Sequence, residues 1–252
     1  MTIHASVVPV VFLALAAHTL SPQAADESPV LRKANYLAIL PGGGPQRQVS
    51  LKAQQVSPAY SDALNFTLIG PDSSTITAGE VLLGEERLLS IPGKPEGLHV
   101  LELDSGWNAC RVDPRGIPSA MVARETVPLH TARGAKQLFF YVPRGCKQFS
   151  VWLVADAPRE GARIEIAGPD GGKVVEEEGD YDKPQRVRAT VPAGCDGKVW
   201  SLALVKPKAG GLNVDDVVLW LDPALPPYLS MREDWALTFG KRKGDGVNGV
   251  LE

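Results

Sequence analysis

Two groups of residues in this 252-residue chain are spaced so that they could do chemistry. The first is the turn Asp104-Ser-Gly-Trp-Asn108, where a large ring stands among polar side chains. Sugar faces stack on aromatic rings while their hydroxyls seek hydrogen bonds. Trp107, with Asp104 and Asn108 beside it, is therefore the candidate ligand platform; the competing reading is that Trp107 only covers the edge of a folded domain. Of the other tryptophans, Trp152, Trp200 and Trp220 alternate with apolar neighbours and read as core, and Trp235 reads as the anchor of a terminal helix. The second group is the acid run Glu176-Glu-Glu-Gly-Asp180 followed by Tyr181-Asp182. Paired carboxylates can serve glycoside hydrolysis, but adjacent carboxylates in a Gly-flanked loop are far more often simply solvated.

Beyond residue 25 the histidines are His99 and His130, and neither stands in a Ser-centred elbow, a metalloprotease helix motif or a Cys/His metal spacing. The chain reads as non-enzymatic. Of the three cysteines, Cys146 and Cys195 each follow a Val-Pro-x-Gly segment. If strand 147–154 pairs antiparallel with strand 186–192, those two turns meet, and a Cys146–Cys195 disulfide is expected. Closing a loop of about fifty residues would stabilise by roughly 3 to 4 kcal/mol on the chain-entropy account. Two unpaired turn cysteines are the alternative, and Cys110 reads as a buried free thiol.

The elements that must position these residues read as strands. Period-2 alternation dominates, as in Phe149, Val151 and Leu153, and 25 glycines and 21 prolines punctuate the turns. The two halves match in order: Arg47-Gln-Val-Ser-Leu51 with Lys147-Gln-Phe-Ser-Val151 at an offset of 100, and Ile69-Gly-Pro-Asp72 with Ala167-Gly-Pro-Asp170 at 98. Val112-Asp-Pro114 and Leu221-Asp-Pro223 close the two units. A period near 100 residues is a domain. The sequence therefore predicts an all-β protein of two tandem antiparallel, jelly-roll-like β-sandwiches from an internal duplication: 26–116, a linker over 117–136, then 137–230. A short helix and flexible tail are expected over 231–252, with Ser230 and Glu233 as a capping box.

A formal charge of −3 gives no reason to expect nucleic acid. Residues 1–25 contain no Asp, Glu, Lys or Arg, and the apolar run Val7–Ala17 suits a signal peptide but is too short for a membrane span; a buried N-terminal strand or a misplaced start codon is the alternative. Export to the periplasm or beyond is expected, and no later stretch reaches spanning length.

The first unit, with Phe66-Thr-Leu-Ile-Gly-Pro-Asp72 and Pro95-Glu-Gly-Leu-His-Val-Leu-Glu-Leu103, resembles the bacterial pre-peptidase C-terminal domain. The second unit ends in Gly211-Leu-Asn-Val-Asp-Asp-Val-Val-Leu219, which resembles the closing strand of galactose-binding-like jelly rolls found in carbohydrate-binding modules. Both resemblances imply accessory or binding roles. The second also implies a structural Ca²⁺, for which Asp215 is the first candidate ligand and Asp182 the second, with plain surface acids as the alternative. The expected function is an exported, non-catalytic module that binds a glycan or an envelope protein; a structural or assembly component of the cell envelope is the alternative.

Overall fold

The computed structural model describes residues 28–155, 157–208 and 210–241. The expected signal peptide, 1–25, and most of the expected tail, 242–252, lie outside the described residues. The first half carries β1 (Val30–Ile39), β2 (Arg47–Gln54), β3 (Leu64–Ile69), β4 (Thr75–Val81), β5 (Glu86–Ile91) and β6 (His99–Asp113). Two short strands follow, β7 (Ser119–Val122) and β8 (Leu129–Ala132). The second half carries β9 (Ala135–Val142), β10 (Gln148–Val154), β11 (Ala162–Ala167), β12 (Lys173–Gly179), β13 (Gln185–Thr190), β14 (Lys198–Val205), β15 (Val217–Leu221) and β16 (Tyr228–Leu229). One helix, α1 (Glu233–Gly240), closes the described chain.

The strands pair antiparallel in two sheets that form a sandwich-like arrangement. Alternation decides which side chains enter it: Val49 and Leu51, Phe66 and Leu68, Val151 and Leu153, Ile164 and Ile166 are all buried, with more exposed residues between most of them. Hairpins β3–β4 and β11–β12 turn through the two Gly-Pro-Asp segments. In each, the aspartate accepts a backbone N–H two residues on, Asp72 from Ser74 at 3.1 Å and Asp170 from Gly172 at 3.0 Å.

Strand partners correspond between the halves. β2 pairs β5 as β10 pairs β13, and β3 pairs β4 and β6 as β11 pairs β12 and β14. In the first half, β1 and β6 are long and cross from one layer to the other. β1 does so at a register shift around Lys33, where φ is 57°, and β6 near Gly106. The second half breaks the same paths, giving β8 and β9 in place of β1, and β14 and β15 in place of β6. The break after β8 needs glycine: Gly134 has φ 75°, and a Cβ there would lie 2.3 Å from the Leu204 carbonyl oxygen.

The stretch 117–136, expected as a linker, carries β7 and β8, and both pair with β1. Local alternation could not show them. β7 is buried at all four positions because it is covered on both faces, and each strand has only four residues. Through β8 the strands of the larger sheet run in the order β13-β10-β15-β8-β1-β6-β2-β5, and one hydrophobic cluster takes residues from both halves.

The capping box is also corrected. Ser230 is buried and paired with Phe139, N–H to carbonyl in both directions at 2.7 and 2.8 Å, and Arg232 occupies the N-cap with no side-chain cap bond. Trp235, Ala236 and Phe239 form the buried face of α1, which packs on β9.

Candidate ligand-binding groove

On β15, Val217, Leu219 and Leu221 point into the core, as do Val151 and Leu153 on β10. The residues between them must therefore point outward. Trp152 and Trp220 are such residues; they are half-buried and face each other across the two strands. Their rings are parallel within 1°, with centroids 5.9 Å apart. The expectation that these two tryptophans are core is thus overturned. Trp200 does lie in the core, edge-on to Phe149 at 5.3 Å, its indole N–H donating to the Cys195 carbonyl at 2.8 Å.

Arg186 on β13 stands opposite Trp152 and lays its guanidinium 5.6 Å from the Trp152 ring centroid. Its Nε donates to Ser150 Oγ at 2.8 Å, and the Asp222 carboxylate lies 3.7 Å away. Around this floor Pro184, Pro223, Pro226, Pro227 and Tyr228 complete a groove of about 1020 Å³. Such a site offers two stacked indoles, several apolar walls and a guanidinium with a carboxylate beside it.

The fold does not itself require those rings. At the matching register of the first half, Lys52 stands opposite Arg111, just as Trp152 stands opposite Trp220. Glu86 takes the place of Arg186 and accepts from Ser50 Oγ at 2.6 Å. One outward sheet position is thus served by charges in one half and by stacked indoles in the other.

The sequence-predicted platform lies at the kink of β6. Trp107 is 55% exposed and stacks on Tyr60, with centroids 6.1 Å apart and planes at 29°. Asp104 Oδ1 accepts from the Gly106 N–H at 2.9 Å, so it shapes the turn. Asn108 is not at the surface. It is 1% exposed, accepts from the Val56 N–H at 3.1 Å and donates to the Asp62 carbonyl at 2.9 Å, so its amide holds the 56–62 segment and is removed from the candidate ligand set.

Among the described residues, Asp215 and Asp182 included, no three His, Cys, Asp or Glu side chains are grouped to hold a metal. The neighbouring Asp216 is buried and pairs with Arg32 at 3.2 Å. Burial, with Asp215 and Asp216 nearby, pushes the Glu160 carboxyl up. In the acid run, hydrogen bonds from Lys173 and Lys208 hold Glu176 at about 2, and Tyr181 is buried, its phenol pushed up by burial to about 12.

β10 and β13 pair as the disulfide argument requires, Gln148 opposite Thr190, yet Cys146, Cys195 and Cys110 are all free thiols. Each of the first two sits at the end of its own tight turn, closed by Cys146 N–H to Pro143 O and Cys195 N–H to Pro192 O. The Cys146 thiol donates to the Gln148 carbonyl at 3.2 Å rather than bonding to Cys195. Cys110 is fully buried, and burial pushes its thiol to about 12.

No family model matches the sequence, and no curated protein matches it. Among solved structures, the chain is similar to one of the M60 catalytic domain with the CBM51-1 and CBM51-2 domains from Clostridium perfringens ZmpB. The identity is 10% and the TM-score 0.29, over 80% of this chain and 34% of that one, so this chain spans about a third of that protein's length. No helix among the described residues is long and apolar enough to cross a membrane.

Proposed function

We propose that this chain is an exported, non-catalytic binding module, built from two copies of one ancestral sandwich, whose ligand is a glycan seated on Trp152 and Trp220. The observation that carries the reading is the parallel, outward-facing indole pair at a position where the fold accepts Lys52 and Arg111 instead. The apolar faces of a pyranose ring stack on indole, and its hydroxyls can pair with the guanidinium of Arg186 and the carboxylate of Asp222. The apolar run Val7–Ala17, within a segment 1–25 that holds no Asp, Glu, Lys or Arg, supports export. The resemblances of both units to accessory domains agree with a role without catalysis.

A second reading, a structural or assembly component of the cell envelope, is favoured by Leu82 and Leu88, which are 52% and 48% exposed on and beside edge strand β5. A glycan array separates the two. Binding by the wild-type chain that is lost in Trp152→Ala supports the module; an array without signal, with envelope proteins captured through a Leu88-dependent surface, supports the assembly component.

A further inference from the structure

The outward face that carries Trp220 continues along β15 through Val218 to Asp216, which lies just before the strand. Four residues of extended chain cover about 13 Å at roughly 3.3 Å per residue. There Asp216 Oδ2 holds Arg32 at 3.2 Å and Lys33 at 3.6 Å. The Arg32 guanidinium lies 5.8 Å from the ring centroids of both Tyr60 and Trp107, and Lys33 Nζ lies 5.3 Å from that of Trp107. The second half thus supplies the carboxylate that anchors an aromatic pair belonging to the first.

Trp107 is exposed but not loosely placed. Its N–H donates to Asp62 Oδ2 at 3.0 Å, and its carbonyl accepts from Arg32 Nε at 3.1 Å. A ring used only to cover the sandwich edge would be buried against it, whereas this one is fixed on both sides of its backbone with more than half its surface in solvent. A rigid exposed ring loses little freedom when a ligand stacks on it.

Building on the glycan reading above, we infer that Trp107 and Tyr60 form a second sugar subsite on the same sheet face as Trp152 and Trp220, so that the ligand is an extended oligosaccharide chain and not a single terminal sugar. Sugar units at one end of the chain stack in the groove, and units farther along reach Trp107, where Lys33 offers an ammonium to their hydroxyls. Engaging both subsites makes the second contact intramolecular, so affinity rises with chain length.

The test is calorimetric titration of the whole exported chain with cello-, chito- and galacto-oligosaccharides, each from disaccharide to octasaccharide. For a ladder that binds, wild type should gain at least about tenfold in affinity between the shortest and longest member. Trp107→Ala should abolish that gain while leaving the disaccharide affinity unchanged, Trp107→Phe should restore part of it, and Trp152→Ala should weaken every length. A Trp107→Ala effect equal at all lengths, or absent at all lengths, overturns the second subsite while leaving the groove standing. A wild-type chain that binds none of the ladders contradicts the glycan reading itself and the subsite with it.

Discussion

Leu31 lies opposite Thr131 where β1 meets β8, in the middle of the larger sheet's eight-strand path. The two residues are separated by 100 positions, the offset at which the two halves of the sequence match. The strand order on either side mirrors itself, with β8, β15, β10 and β13 to one side and β1, β6, β2 and β5 to the other.

Because this pairing joins the halves and Leu31 belongs to the cluster that spans both, the chain should unfold as one unit. Leu31→Ala should cost roughly 2 to 5 kcal/mol through lost burial and the cavity left behind. Differential scanning calorimetry should show one transition in wild type and one, at lower temperature, in the variant. Two resolved transitions, with just one of them shifted, would mean that the halves are energetically independent.

His99 ties stability to pH. It is fully buried opposite Ile39 on β1, and burial pushes its imidazole below the ordinary 6.5 even though the Gly97 carbonyl and Asp72 pull the other way. An imidazole with a depressed folded value binds its proton more readily in the unfolded chain, so its contribution is present above about 6.5 and is lost as pH falls through the window below it. Urea unfolding of wild type and His99→Gln across that interval should show the shallower acid loss in the variant. Equal slopes would remove His99 from the acid response.

The thiols differ in access. Cys110 is fully buried, whereas Cys146 and Cys195 are partly exposed in turns. Since the thiolate is the reactive form, iodoacetamide on native protein should label Cys146 and Cys195 and spare Cys110 until denaturant is added. Peptide mapping reads the sites. Labelling of native Cys110, or recovery of a bridged Cys146–Cys195 peptide, would contradict the packing described.

What the sequence disclosed and what it hid follow from how far the signal reaches. Phe149, Val151 and Leu153 declare a strand and its inward face over five residues, and the Gly-Pro-Asp turns declare the hairpins beside it. The same alternation already places Trp152 outward, but its hydrophobicity argues for the core, and its partner Trp220 lies on a strand whose pairing no local pattern encodes. Asn108 hides its role for a similar reason: its polar neighbours suggest a surface turn, while its amide is satisfied by Val56 and Asp62, far back along the chain. Ser230 carries a sound local helix-start signal, but pairing with Phe139 claims its backbone first.

Trp152 and Trp220 are assigned to a ligand and not to the fold, and the first half supplies the substitutions that separate the two roles. Trp152→Lys with Trp220→Arg and Arg186→Glu writes the Lys52, Arg111 and Glu86 set into the second half. The lost ring stacking is worth about 0.5 to 1.5 kcal/mol beyond the area the half-buried indoles cover, and the charged set that replaces it is one the matching position of the first half already holds, so the variant should stay folded and melt in a single transition below that of wild type. Its affinity for an array-selected glycan should fall by about 2 kcal/mol or more, as removal of the central aromatic contacts of a binding site does. Titration of that glycan into the folded triple variant is the decisive measurement: loss of binding is predicted, and wild-type affinity would contradict the assignment of the groove.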